Sequence, residues 1–92
     1  RVLVMGLTFK ENCPDLRNSK VVDIIWELES YGVEVLVHDP LADSVEAKQH
    51  YGINLASLDE MCSLGALVIA VAHESYKSMN IEKLKGMLFA VL

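Results

Sequence analysis

The chain opens with RVLVMGLTFKENCPDLRNSK (residues 1–20), which combines a strand signal with an unusually long connection. Val2 to Met5 form an unbroken apolar run that Gly6 closes. Strands without polar alternation are typical of parallel sheets that are covered on both faces. Two later runs, Val33–Val37 and Ala66–Ala72, have the same character. The sequence therefore predicts a buried parallel sheet.

Helical patterns alternate with these strand patterns. Val21, Ile25 and Leu28 share one helical face, and Gly32 follows where a C-terminal cap is expected. Local signals predict the remaining elements: short helices that begin at Asp43 and Ser57, a helix over Asn80–Lys85, and strands at Ile53–Leu55 and Met87–Leu92. This alternation predicts an α/β fold, a doubly wound parallel sheet of about five strands in the order 3-2-1-4-5, in a three-layer, Rossmann-like arrangement.

Size and composition describe one small domain. The 92 residues (10.2 kDa) can hold a single core, and 52% apolar residues with a mean hydropathy of +0.30 is rich for so small a unit. We expect a fragment of a larger soluble chain, without a signal peptide or an apolar stretch of the roughly 20 residues that a membrane span needs. Cys13 and Cys62 are too few for a disulfide framework, which favours a reducing cytoplasm.

Charge is unevenly distributed along the chain. The first 20 residues carry four cations and two carboxylates, a net of +2, whereas the other 72 carry four and eleven, a net of −7. The acidic body argues against nucleic acid as a partner, because proteins that bind nucleic acid usually present a basic surface. The local basic segment suits a small anion.

The connection from Gly6 to Asn18, called the switch-point loop below, is 13 residues long. Connections in such folds usually run to about 2–6 residues, and the predicted position of this one is the crevice between the first and fourth strands, where ligands bind. Lys10 and Arg17 supply positive charge, and Phe9 supplies a flat apolar surface. The GxGxxG pattern of dinucleotide sites is absent. Length and position alone are equally consistent with a solvated surface excursion.

The switch-point loop also carries a resemblance to a known family. Residues 6–20 begin with GLTFK and continue through Asp15-Leu16-Arg17 to a small polar helix start, and His38-Asp39-Pro40 follows later. This pattern resembles the C-terminal UDP-binding domain of the UDP-glucose/GDP-mannose dehydrogenase family, which has Tyr-Asp-Pro at the later motif. The resemblance covers essentially all 92 residues. The segment ENCPDLRN (11–18) is more similar to the branch that oxidises UDP-N-acetylhexosamines than to the UDP-glucose branch.

The resemblance implies a nucleotide-sugar-binding domain of an NAD-dependent UDP-sugar 6-dehydrogenase, which oxidises the sugar C6 hydroxyl to a carboxylate for surface polysaccharide precursors. By position, Phe9 and Lys10 would contact the UDP-sugar, and Arg17 would reach the NAD phosphates. The family's catalytic cysteine and lysine lie upstream, so neither Cys13 nor Cys62 is expected to be a nucleophile and residues 1–92 alone should be inactive. A separate domain would bind most of the NAD, and a central helical region would form a homodimer. A UDP-glucose or GDP-mannose enzyme of the same family is the alternative.

Other residues leave further alternatives. His73 and Glu74 fall in the loop after the fourth predicted strand, which flanks the same crevice as the switch-point loop. They would therefore line the substrate crevice. Asp39 is either a ribose-binding acid or an ordinary turn opening, and the turn is favoured. His38 and His73 would end strands two spacings apart, about 10 Å, so no metal site is expected.

Two positions are predicted to be structural, and two rival functions stay open. Trp26 is expected in the core or a domain interface, and Cys62 in helix packing. A receiver-type signalling module would need acidic residues where Met5 and Gly6 stand. A non-catalytic scaffold of the same fold would bind no nucleotide.

Overall fold

The computed structural model describes residues 1–60 and 63–88. Strands and helices alternate as far as the third strand, after which two helices follow, and a short 3-10 turn covers Leu58–Glu60. The other elements are strands β1 (Val2–Met5), β2 (Val35–His38) and β3 (Ala66–Ile69), and helices α1 (Val21–Ser30), α2 (Ser44–Tyr51), α3 (Glu74–Lys77) and α4 (Ile81–Gly86). The predicted α/β class is confirmed.

The three strands form a parallel sheet in the order β2-β1-β3. In the central strand, Val2 pairs with Val35 of β2 and with Ala66 of β3, and the register continues without a bulge. The carboxyl ends of all three strands therefore meet at one edge of the sheet. Both the switch-point loop and the segment after β3 begin at this edge.

The apolar run of β1 is explained by burial on both faces. Val4 belongs to one cluster, with contributions from α1 and α2, whereas Leu3 and Met5 belong to a second cluster, with contributions from α3 and α4. All three side chains are fully buried. Because neighbouring strand residues point to opposite faces, each position of β1 must be apolar.

The predicted helix ends are confirmed where they rest on local capping. The amide of Gly32, at φ +81°, donates to the carbonyl of Glu29, as in a glycine cap after α1. The Asp43 carboxylate accepts from the backbone N–H groups of Val45 and Glu46 at the start of α2. Asn80 caps α4 in the same way, through the N–H of Glu82.

Some predicted elements are shorter than expected or were missed. Val37 of β2 bridges Leu55, and Leu64 bridges Leu88, but within the described residues neither bridge extends into a strand. The helix predicted from Ser57 is the 3-10 turn, and α3 was not predicted. The end of the predicted Met87–Leu92 strand and the packing of Cys62 lie outside the described residues.

Trp26 is not a core residue. Its side chain is 51% exposed, because α1 buries the face formed by Val21, Val22 and Ile25 and position 26 lies beyond that face. An interface role for Trp26 stays a prediction. None of the helices in residues 1–60 and 63–88 has the length and apolar character to cross a membrane.

Candidate functional site

The switch-point loop leaves β1 through a turn that only glycine fits. Gly6 has φ +102°, and a Cβ placed on it would lie 2.6 Å from Cβ of Val71. Its amide donates to the carbonyl of His38 at 2.7 Å. The turn therefore brings the loop against the segments that follow β2 and β3.

A buried carboxylate after β2 anchors the first residues of the loop. Oδ2 of Asp39 accepts from the backbone N–H groups of Leu7 (2.7 Å) and Thr8 (3.1 Å). Oδ1 accepts from the N–H groups of Leu41 (2.8 Å) and Ala42 (3.2 Å), which is the turn that was favoured from the sequence. Both oxygens are thus engaged within the protein rather than presented to a ribose.

His73, after β3, lies beneath the same loop. Its side chain is 1% exposed, and Nε2 lies 2.9 Å from Asp39 Oδ2 and 3.1 Å from Thr8 Oγ1. Nδ1 accepts from the backbone N–H of Asn12 at 2.9 Å. Since an amide can only donate, Nδ1 carries no proton and Nε2 carries the proton that is directed at Asp39. The ring is neutral in this arrangement.

Asn12 ties the far side of the loop to α3. It adopts the left-handed conformation, φ +58°, which asparagine tolerates better than most residues. Its Oδ1 accepts from the backbone N–H of Glu74, the first residue of α3, at 2.8 Å. The Glu74 side chain is exposed beside this contact. Of the two residues predicted in the crevice, His73 is therefore buried and Glu74 is at the surface.

Three ionisable groups at this edge have shifted pKa values: Asp39, His38 and Tyr76, whose pKa burial raises. Burial by itself raises the pKa of Asp39, but hydrogen bonds from Leu7, His73, Leu41 and Thr8 outweigh burial and lower it. Burial lowers the pKa of His38, whose Nδ1 lies 2.8 Å from the hydroxyl of Tyr76. That hydroxyl donates to the carbonyl of His38, so Nδ1 carries a proton and donates to it. Asp39 is ionised and His38 neutral near pH 7.

Phe9 and Lys10 lie at the outer side of the loop. Phe9 is 51% exposed, although its backbone N–H donates to the carbonyl of Asp15 at 2.7 Å. Lys10 is exposed, and its carbonyl accepts from the buried Thr8 hydroxyl. The backbone is held while both side chains stay accessible, so the loop exposes an apolar ring and a cation at consecutive positions.

Arg17 lies on a different part of the loop. Its guanidinium contacts the carboxylate of Asp15 through two hydrogen bonds, Nε–Oδ1 at 3.0 Å and Nη2–Oδ2 at 3.1 Å, and its side chain is 81% exposed. These bonds lower the pKa of Asp15. Both residues border an open groove of about 520 Å³ together with Cys13, Pro14, Leu41, Asp43 and Glu46. The ion pair orients Arg17 toward solvent without burying it.

The family description "UDP-glucose/GDP-mannose dehydrogenase family, UDP binding domain" matches residues 3–91. The chain belongs to this family. This UDP-binding domain is 47% identical over 85 residues to the UDP-N-acetyl-D-glucosamine 6-dehydrogenase of Pseudomonas aeruginosa, with 92% of this chain and 20% of that protein covered. It is 40% identical over 85 residues to the enzyme of the same name from Salmonella typhi, at the same coverage.

Among solved structures, the UDP-binding domain resembles the UDP-N-acetyl-mannosamine dehydrogenase Cap5O from S. aureus. The TM-score is 0.71 at 23% sequence identity, over 94% of this chain and 19% of that one. This likeness supports the fold. The chain spans about a fifth of the length of the curated relatives it matches.

Sequence reasoning missed the residues that support the loop from inside. Thr8 and Asn12 were not singled out, and Asp39 was considered only for a ribose or a local turn. Asn12 carries a usable signal, because asparagine in a long connection favours a left-handed residue. The pairing of His73 with Asp39 has no local signal, since the two residues are 34 positions apart.

Proposed function

We propose that this UDP-binding domain holds the UDP part of a nucleotide sugar on the outer side of the switch-point loop. The observation that carries the proposal is that Phe9 and Lys10 are both exposed, at consecutive positions of a backbone that is anchored on both sides. The Lys10 ammonium would contact the diphosphate, and the Phe9 ring would pack against the base or the sugar. The family match over residues 3–91 supports this ligand class.

The complete protein is then an NAD-dependent UDP-sugar 6-dehydrogenase, an oxidoreductase that converts a C6 hydroxyl to a carboxylate. The names of the relatives at 47% and 40% identity favour a UDP-N-acetylhexosamine as substrate. Residues 1–92 form its substrate-binding C-terminal domain, and the catalytic groups lie elsewhere in the protein. We expect a cytoplasmic homodimer that supplies precursors of surface polysaccharides.

NAD would receive one contact from this domain. The chain has no glycine fingerprint after β1, which argues against a complete dinucleotide site here. Arg17 fits a supporting role, because its exposed guanidinium is held in one orientation by Asp15. NAD supplies the hydride acceptor for the oxidation, while Arg17 would hold a phosphate of the cofactor.

We also infer that the two single bridges, at Leu55 and Leu88, mark the outer strands of a five-stranded, three-layer domain. Leu55 bridges Val37 of β2, and Leu88 bridges Leu64, two residues before β3. This is the placement expected for the order 3-2-1-4-5. This architecture leaves the switch point between β1 and β3.

The substrate assignment is tested by titrating the full-length protein with UDP in a calorimeter. Lys10→Ala removes one charge-assisted contact to a phosphate, so we expect the Kd for UDP to rise at least about tenfold. Lys48→Ala is the matched control, because it removes an exposed cation from α2, and it should leave the Kd unchanged. Equal UDP affinity in wild type and Lys10→Ala would reject the assignment of Lys10.

A further inference from the structure

We propose that His73 is a positioning residue, which with Asp39 and Asn12 holds the switch-point loop in the shape that presents Phe9 and Lys10 to a nucleotide sugar. The three residues are called the latch below. The ligand part of the inference rests on the proposed function. Nothing in the latch touches the ligand; it acts through the loop backbone.

The first support is the position of the anchors along the loop. Asp39 holds the backbone N–H of Thr8, and His73 holds the backbone N–H of Asn12. Phe9 and Lys10 lie between these two anchored amides. A chain segment of three residues fixed at both ends has few conformations left, so the anchors decide where both side chains point.

The second support is that one ring joins the two anchors. Nε2 of His73 is bonded to Asp39 Oδ2 at 2.9 Å, and Nδ1 of the same ring accepts from Asn12 at 2.9 Å. An imidazole is rigid, so the separation between the two anchors is set by the width of the ring. Asn12 in turn accepts the first N–H of α3, which fixes the outer end of the latch to a helix.

The third support is burial. Asp39, His73 and Thr8 are 5%, 1% and 0% exposed, so water does not compete for their hydrogen bonds. The same burial argues against direct ligand contact by His73, because both ring nitrogens are already engaged and the ring has almost no accessible surface. This leaves His73 an indirect role, in which it acts on the ligand through the loop backbone.

The test uses substitutions in the full-length protein that each remove the hydrogen bond of one ring nitrogen and retain that of the other. His73→Asn offers a carboxamide oxygen near the Nδ1 position and retains the acceptor for Asn12, while it loses the donor to Asp39. His73→Gln reaches the Nε2 position and retains that donor, while it loses the acceptor for Asn12. His50→Gln, an exposed histidine in α2, is the control.

Amide hydrogen exchange measures how well the latch hydrogen bonds protect the loop backbone in the absence of a ligand. We expect exchange at the Asn12 amide to rise about tenfold or more in His73→Gln and to stay near the wild-type rate in His73→Asn. The amide of Ile25 in α1 reports on the rest of the fold and should not change. Equal protection of Asn12 in His73→Gln and wild type would overturn the latch.

UDP titration reads the consequence for the ligand. His73→Gln should raise the Kd for UDP, and the KM for the UDP-sugar, about tenfold with kcat and the KM for NAD little changed. His73→Asn should bind UDP within about threefold of wild type even where its melting temperature is lower. The affinity for UDP would thus depend on whether the Asn12 hydrogen bond is present and not on the melting temperature of the variant. If His73 were merely structural, the affinity would instead change in parallel with stability.

A double substitution shows whether His73 acts through Lys10. If it does, His73→Gln should weaken UDP binding less in a Lys10→Ala background than in wild type, because one of the two contacts that it positions is already gone. Additive effects would overturn the positioning role.

A second variant, Asn12→Gly, tests the latch if His73→Gln folds poorly. Glycine keeps the left-handed backbone but removes the hydrogen bond to Glu74, so hydrogen exchange at the same amides should rise and UDP binding should weaken. No change in either measurement would count against the latch.

The outcomes separate the inference from the proposed function. Wild-type protein that does not bind UDP would reject the proposed function and the ligand part of the latch, while exchange at Asn12 still decides whether His73 holds the loop. Normal UDP binding that depends on Lys10 but not on His73 would leave the proposed function standing and overturn the inference.

Discussion

Arg17 illustrates how the direction of a single side chain is fixed by its neighbour. The carboxylate of Asp15 binds the guanidinium with two hydrogen bonds and also accepts the backbone N–H of Arg17 at 2.8 Å. The pair is exposed, so it contributes little to stability. Its effect is on the direction of the guanidinium, which is the property that a phosphate contact needs.

Removing this guanidinium should affect the cofactor more than the substrate. In the full-length enzyme, Arg17→Ala is expected to raise the KM for NAD about tenfold and the KM for the UDP-sugar less than about twofold, because one phosphate contact is lost. Lys20→Ala removes a nearby exposed cation and serves as the control in the same steady-state assay. A larger effect on the UDP-sugar than on NAD would contradict the role given to Arg17.

The turn after β1 shows how an element end is fixed by both backbone conformation and space. Gly6 and Gly52 both have positive φ, +102° and +68°, but only Gly6 has Val71 within contact of the missing Cβ. Gly52 ends α2 with open space around it. The two positions therefore separate conformational strain from steric exclusion.

Alanine at these glycines should have unequal costs. Gly52→Ala is expected to destabilise by about 1 kcal/mol, from the left-handed backbone alone. Gly6→Ala should destabilise by roughly 3 kcal/mol or more, because strain is joined by a clash with Val71. Denaturant unfolding of both variants measures the difference, and equal losses would show that Val71 moves aside freely.

Helix ends were predictable in proportion to how local their caps are. The Asp43 and Asn80 side chains cap α2 and α4 within three residues, and both starts follow from the sequence. The first N–H of α3 is instead bonded to Asn12, which is 62 positions away. A four-residue helix that is capped from another segment leaves no local pattern, which is why α3 was missed.

The whole molecule should lose stability on acidification in two stages. The folded pKa of His38 is below its ordinary value of 6.5, so the unfolded chain takes up protons first and stability declines as pH falls below about 6.5. The folded pKa of Asp39 is below its ordinary value of 3.8, so its contribution is present above that pH and is lost as pH falls through the lower folded value. Both shifts have the same sign.

Thermal unfolding between pH 4 and 8 can isolate the upper stage. His38→Asn retains a donor to the Tyr76 hydroxyl but has no titrating ring, so its melting temperature should vary less than that of wild type as pH falls from about 7 to 5. His50→Gln should follow the wild-type profile. Identical profiles for His38→Asn and wild type would mean that His38 does not contribute.

The sequence by itself determined the parallel sheet and the local helix caps, and it singled out the residues that we propose hold a ligand. These follow from signals within a few positions: the apolar run of β1, capping side chains, and the cations and aromatic ring of the switch-point loop. The tertiary structure decided how those residues are used. It buries His73, commits both oxygens of Asp39 to backbone amides and leaves Phe9 and Lys10 exposed. Its deciding hydrogen bonds join residues 31 to 65 positions apart, and such contacts exist only once the parallel strands bring their carboxyl ends together.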